Sequence, residues 1–298
     1  MSSSPAFTIS GYSTARYATW FFIDELGLLL DAGDGLIAGL MSKAAKIKHI
    51  AVSHPDRDHL SGLLHFLKLF GGQGVPTIYY PESSGSFPAL AEFSQRFDPD
   101  QPGRPDWKPI ASGAEVVLGS GLVLRAQANR HVPCESGQTK SVSFSLLRKI
   151  RKLKPEHRHL TGPEIGALKK SLGEAAITDE VEHTELIYTA DTPIEPASRW
   201  GPTKILIHEC TFLDAATAES KHQIARHSYL DAVLDIAAEL QPQHLILTHF
   251  SARYGADEIR EAIRAGATKR QLGLPTYAVL PGETVHNILG HVPVYAPA

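Results

Sequence analysis

At 298 residues the chain is long enough for one large domain or two small ones, with a sizeable buried core. Hydrophobic content of 43% and charged content of 20% are those of a soluble globular protein. A formal net charge of −3 excludes a generally cationic nucleic-acid coat while leaving room for a local basic patch. Only two cysteines, Cys134 and Cys210, are present, so no disulfide framework is expected and a reducing cytoplasmic setting fits. No run of about 18 apolar residues is available to span a membrane. The opening MSSSPAFTIS lacks the basic-then-apolar pattern of a signal peptide.

Residues 6–10, 20–24 and 26–31 read as short strands, followed by a turn at Ala32-Gly33-Asp34-Gly35. Residues 36–45 predict a helix. Lys48 to Val52 is short, apolar and β-branched, which predicts a buried strand, and residues 63–70 suit another helix. Between those two lies Ser53-His54-Pro55-Asp56-Arg57-Asp58-His59-Leu60-Ser61-Gly62. Neutral imidazole and ionised carboxylate are the ligands a divalent transition metal accepts. Four of them within six residues, at the exit of an apolar strand, predict a metal site rather than a polar turn.

Residues 71–110 are rich in Gly, Pro, Ser and Asp, with a strand expected over 78–80 and a helix over 88–97. Residues 114–127 alternate apolar and polar side chains and predict two strands, ending just before His131. A further strand is expected over 142–146. The next stretch is basic: Arg148, Lys149, Arg151, Lys152, Lys154, Arg158, Lys169 and Lys170 stand against only Glu156 and Glu164 within residues 148–170. It reads as an insertion at about 147–180, either a solvated, partly helical face or an arm that contacts phosphates. Strands are expected over 186–191, 204–209 and 244–249. Ser228 is the expected N-cap of a helix whose Leu230, Val233, Leu234, Ala237 and Leu240 share one face. An apolar strand thus delivers a metal-competent residue at its exit near residues 54, 131, 191, 209 and 249. That recurrence predicts one site in an α/β layered architecture. His65, His208 and His244 are expected to be ordinary histidines.

The order His54-x-Asp56-x-Asp58-His59, then His131, Asp191 and His249, resembles the metallo-β-lactamase superfamily of dinuclear hydrolases. Within it the chain is most similar to ribonuclease Z-like enzymes, which trim the 3′ end of tRNA precursors. The stretches that carry this are Thr248-His249-Phe250-Ser251-Ala252-Arg253-Tyr254, Ile207-His208-Glu209-Cys210-Thr211-Phe212, Arg226-His227-Ser228 and Gly162-Pro163-Glu164-Ile165-Gly166-Ala167-Leu168-Lys169. The resemblance implies an αββα sandwich in four layers, built as a single domain. It implies one divalent ion on His54, Asp56 and His131, another on Asp58, His59 and His249, and Asp191 bridging both. Zn²⁺ is the implied metal, with Mn²⁺ the alternative. Glu209 and His227 would orient Asp58 or shuttle a proton to the leaving oxygen, so the expected catalytic residues are Asp58, Glu209 and His227.

This chain departs from the family where Asp56 replaces the usual His of the motif. Three aspartates and a bridging hydroxide then cancel the charge of two divalent ions. A phosphodiester anion would need compensation from Arg57 or from the basic 148–170 segment. The expected activity is a metal-dependent phosphodiesterase with RNA or a small phosphodiester as substrate. The alternatives are hydrolysis of a thioester or lactone on the same site, or a non-catalytic nucleic-acid binder. A second copy of the chain is the expected protein partner, through apolar surface on the helix after Gly62.

Overall fold

The computed structural model describes residues 7–71, 76–101 and 103–297. The start of the first expected strand, residue 6, and most of the segment read for a leader fall outside that range.

Two sheets form the centre. The first holds β1 (Ile9–Thr14), β2 (Ala18–Ile23), β3 (Leu28–Leu30), β4 (His49–Ala51), β5 (Thr77–Pro81) and β6 (Asp106–Ile110) in that spatial order. The second runs from β7 (Glu115–Gly119) through β8 (Leu122–Ala128), β9 (Val142–Leu153), β10 (Thr178–Tyr188), β11 (Ile205–Glu209) and β12 (His244–Thr248) to β13 (Thr276–Ala278). Strands buried on both faces need near-continuous apolar runs. Ile205-Leu206-Ile207 and Leu245-Ile246-Leu247 supply them.

Three apolar layers follow from this. Phe21, Ile23, Leu28 and Leu30 of the first sheet pack against Leu124, Phe144, Leu186, Tyr188 and Ile207 of the second. Outside the first sheet lie α1 (Leu36–Leu40), α2 (Leu63–Phe70) and α3 (Ser86–Phe97), which bury Leu36, Leu63, Phe66 and Phe87 against Trp20, Phe22 and Ile78. Outside the second lie α7 (Leu230–Leu240) and α8 (Ala256–Lys269), with Val233, Leu234, Ile259 and Ile263 against Leu206, Leu245 and Leu247. Helix, sheet, sheet, helix is the four-layer αββα order expected.

Local details differ from the expectations. The helix over 36–45 stops at Leu40, because Met41 takes a positive φ (50°) that breaks the helix, and the chain continues as a 3₁₀ turn to Lys46. β6 lies where no strand was expected; it pairs in parallel with β5 across Thr77 to Pro81. Ser228 does not cap α7. Its hydroxyl donates to the Thr192 carbonyl at 2.9 Å, and Tyr229 is the residue preceding the helix.

The largest correction concerns the basic segment. β9 and β10 run antiparallel well past the sheet, and the ribbon carries α4 (Gly162–Leu172) and α5 (Glu174–Ile177) between its strands. The register sets Lys149 opposite Glu182, Arg151 opposite Glu180 and Lys152 opposite Asp179. Arg148 pairs with Glu185 at 2.9 Å and Lys149 with Glu115 at 2.7 Å. The first residues of the segment are therefore strand, acids distant in sequence pair with Arg148 and Lys149, and the helices of the expected partly helical insertion follow as α4 and α5. Beside it, α6 (Ala215–Ser220) is a short helix capped by Asp214, whose carboxylate accepts from the Thr217 N–H.

Candidate metal centre

The donors meet at one edge of the two sheets, each delivered just past a strand end. Residues 53–62 leave β4 and fold back over the turn after β3: Ala32 N–H donates to the His59 carbonyl, and Gly62 N–H to the Ala32 carbonyl. The approach is too close for a side chain, since a Cβ on Gly62 would strike the Gly33 carbonyl. Ala190 and His249 turn into the site with φ of 51° and 60°, and Asp31 does the same at 56°. A left-handed non-glycine residue costs about 1–3 kcal/mol and persists only where its surroundings hold it.

The chain brings together all seven residues expected to hold metal. His54, Asp56 and His131 place one donor atom each within 4.8 Å of one another, and so do Asp58, His59 and His249. His54, His59 and Asp191 form a further such set, which puts Asp191 between the two groups. Its Oδ2 lies 3.8 Å from His54 Nε2 and from His131 Nε2; its Oδ1 lies 3.4 Å from His59 Nε2 and 3.3 Å from His249 Nε2.

Every imidazole in the two groups is oriented through Nδ1. His59 Nδ1 donates to Asp31 Oδ2 at 2.7 Å and His131 Nδ1 to the Arg226 carbonyl at 3.0 Å. Carboxylate and carbonyl only accept, so these rings carry their proton on Nδ1. Ser53 Oγ already donates to Asp31, and Thr211 Oγ1 to Glu209, so each accepts from the imidazole beside it: His54 Nδ1 at 2.9 Å and His249 Nδ1 at 2.9 Å. Nε2 is left with a lone pair in each ring. His54 Nε2, His59 Nε2, His249 Nε2 and Asp191 Oδ1 are buried without any hydrogen-bond partner. Buried acceptors turned toward one another are costly unless something positive lies between them. A divalent cation fits that description, and the donor set suits it.

Charge shifts at the donors run both ways: against the cost of burial, the Asp191 and Asp31 carboxylates raise His59 well above the usual imidazole range, and Asp56 raises His131. Burial, reinforced by the charge of His59, pushes His54 well below the usual imidazole range. Burial opposes charge on Asp191 too, yet His249 and His59 hold its carboxylate well below the usual range. Asp56 is the exposed member of its group; its Oδ2 lies 3.5 Å from His131 Nε2 and 3.7 Å from His54 Nε2.

Glu209 and His227 form a pair beside the donors. Glu209 accepts from Thr192 N–H, from Thr211 N–H and Oγ1, and from His227 Nδ1 at 3.0 Å. Burial works against the His227 cation, but the adjacent Glu209 carboxylate raises its pKa to about 9. The pair does not orient Asp58. That carboxylate accepts instead from the main-chain N–H of Arg16 at 2.9 Å.

Four contributors were not picked out in the sequence. Asp31, buried, accepts from Ser53 N–H and Oγ, His59 Nδ1 and Tyr188 Oη. Its position at the end of Leu28-Leu29-Leu30 is the same strand-exit signal that marked Asp191. Thr211 and Arg226 stood in motif stretches without a role of their own, and Arg16 and Arg226 act through main-chain atoms that no side-chain pattern marks. A cavity of about 480 Å³ opens on the donors. Arg16, Lys221, Arg226 and Arg253 line it together with Asp56, Asp58, His131, Asp191, His227 and His249. These four residues bring positive charge to the cavity, and Arg57 and the 148–170 segment are not among its lining residues.

Comparison with known proteins agrees with this geometry. Over 266 residues the chain is 29% identical to the chloroplastic tRNase Z TRZ2 of Arabidopsis thaliana, covering 87% of this chain and 71% of that protein. It is 26% identical over 267 residues to tRNase Z TRZ1 of the same plant, covering 87% and 90%. Among solved structures, the metallo-β-lactamase fold protein YhfI of Bacillus subtilis superposes with a TM-score of 0.61 at 16% identity, over 94% of this chain and 99% of that one. The short form of human tRNase Z gives 0.57 at 19% identity, over 83% and 93%. The family described as Beta-lactamase superfamily domain matches residues 28–250, and the chain belongs to that superfamily, with the metallo-β-lactamase fold.

Proposed function

We propose that the chain is a metal-dependent phosphodiesterase of the ribonuclease Z kind, with RNA as its substrate class. The observation that carries this reading is the cavity, where four basic residues ring a cluster of buried, unpartnered metal donors. A neutral thioester or lactone has no use for that ring; a phosphodiester anion does. The relatives named tRNase Z support the same choice.

In this reading His54, Asp56 and His131 hold one divalent ion, Asp58, His59 and His249 hold the other, and Asp191 is shared. Zn²⁺ suits the imidazoles, and Mn²⁺ is the alternative that the carboxylates favour. The ions, when bound, supply an activated water and positive charge on the phosphate oxygens. Asp58, fixed by the Arg16 N–H, sets one side of that centre. His227, kept protonated by Glu209, hands a proton to the leaving oxygen.

The ribbon of β9 and β10 is the proposed RNA-holding arm. Arg151, Lys152, Lys154 and Lys170 make no ion pair among the described residues, so they are the side chains available for phosphates. A second copy is the proposed protein partner, across α2, where Leu64 and Leu69 are exposed. A reducing cytoplasm is the proposed location, consistent with two free cysteines. No helix among the described residues is long and apolar enough to cross a membrane.

The test is a panel on the metal-loaded protein: precursor tRNA, bis-p-nitrophenyl phosphate, a thioester and a lactone. Cleavage of the two diesters is expected. Turnover of the thioester or lactone alone would sink the phosphodiesterase reading. RNA affinity should fall by roughly 0.7 log unit per log unit of salt for each phosphate neutralised. Replacing Arg151, Lys152 and Lys154 with Ser should flatten that slope and spare the small diester.

A further inference from the structure

Two arginines stand in the cavity wall in matching positions. Arg16, in the turn between β1 and β2, donates its main-chain N–H to Asp58 Oδ2. Arg226, in the loop before His227, offers its main-chain carbonyl to His131 Nδ1. Asp58 belongs to one donor group and His131 to the other. Each arginine therefore fixes a donor of one group with its backbone while standing on the cavity wall. Both are exposed, and neither makes an ion pair among the described residues. Arg16 is held in a left-handed conformation (φ 70°) by a tightly bonded turn: Tyr17 N–H donates to the Thr14 carbonyl and Ala15 N–H to the Phe250 carbonyl.

We infer that Arg16 and Arg226 couple the binding of a phosphodiester anion to the retention of the metal ions. The inference rests on the metal and phosphodiester reading above. Without an anion, two guanidinium groups beside a dication repel it and weaken its hold. A phosphate between them cancels that repulsion and bridges both walls of the cavity. The same bridge steadies the turn that presents Asp58 and the loop that presents His131. Coupling of this sort is reciprocal: the anion tightens the metals and the metals tighten the anion by one factor. Arg16 and Arg226 are thus positioning and specificity residues for an anionic substrate, acting on both donor groups at once.

The experiment measures the Zn²⁺ dissociation constant by competition with a chromophoric chelator, with and without saturating dimethyl phosphate. The proteins are the wild type, Arg16→Ala, Arg226→Ala, the double variant and Arg16→Lys. Alanine keeps both the left-handed residue and the main-chain bonds, so it removes only the guanidinium. A phosphate oxygen bound directly to metal would tighten Zn²⁺ in every protein, so the signal is the difference between wild type and variants. Dimethyl phosphate should tighten wild-type Zn²⁺ binding about tenfold more than it does the double variant, within the usual range of site-to-site coupling. The single alanine variants should fall between, and Arg16→Lys should recover part of the effect. Without the anion, the alanine variants should hold Zn²⁺ at least as tightly as the wild type.

An equal anion effect in all five proteins overturns the coupling and leaves the metal centre standing. Loss of Zn²⁺ from the alanine variants in the absence of anion also overturns it, because the arginines would then be structural. A wild type that takes up no Zn²⁺ overturns the metal reading itself, and this inference with it.

Discussion

Asp31 and His59 are joined by a 2.7 Å hydrogen bond between carboxylate and Nδ1, with neither side chain exposed to solvent. The same carboxylate takes the Tyr188 hydroxyl and both polar groups of Ser53, and Ser53 in turn orients His54. One buried acid therefore sets the tautomer of an imidazole in each donor group.

Asp31→Asn keeps the shape and removes the charge. Its effect should spread to both groups, because His59 and His54 are both referred to this carboxylate. Loss of an outer partner of this kind costs about 10- to 100-fold in metal affinity. Isothermal titration with Zn²⁺ is the measurement, and an unchanged affinity for both ions would mean that Asp31 serves only the fold.

Asp191 and Asp56 should part company when replaced. Asp191 touches both groups, so Asp191→Ala should empty both; Asp56 stands at the exposed side of one, so Asp56→Ala should weaken one ion only. Elemental analysis after dialysis distinguishes the two outcomes. If Asp56→Ala loses both ions while Asp191→Ala retains one, the assignment of donors is wrong.

In the metal-free protein His227 should keep its second proton to about pH 9, because the Glu209 carboxylate faces it at 3.0 Å. The imidazole signals in a nuclear magnetic resonance titration should move near that pH rather than near the ordinary value of 6.5. Glu209→Gln removes the charge and should bring the midpoint down. A midpoint indifferent to that substitution would sever the pair and remove the argument for His227 as proton donor.

His208 gives a prediction on stability. Its ring is buried beside Trp200, and burial lowers its pKa below the ordinary 6.5. The unfolded chain then takes up a proton near pH 6.5 that the folded chain refuses. Stability from this group is present above that pH and declines as pH falls through it, by at most about 1.4 kcal/mol per pH unit. His208→Gln should make urea unfolding less sensitive to pH between 7.5 and 5.5. An unchanged pH slope would show that His208 is not a source of the acid sensitivity.

The sequence by itself determined the layered α/β class, most strands and the seven candidate donors that the fold brings together. All of these are local: an apolar run ends, and a metal-competent side chain follows within a few residues. Lys48 to Gly62 contains a strand, four donors and the glycine that permits the fold-back, so it can be read without any partner. Asp31 sat in the same kind of pattern and was legible in principle.

Only the tertiary structure decided how the donors are held and what charge surrounds them. Arg16 reaches Asp58 and Arg226 reaches His131 through main-chain atoms, which every residue possesses and no side-chain pattern marks. The basic segment looked uncompensated because its acids lie on other strands, where tertiary pairing rather than proximity in sequence brings Glu185 of β10 to Arg148 and Glu115 of β7 to Lys149. Positive-φ residues such as Met41 and His249 were equally hidden, since no local pattern in the sequence marks them. What depends on a residue and its next few neighbours was readable; what depends on which distant strand lies alongside was not.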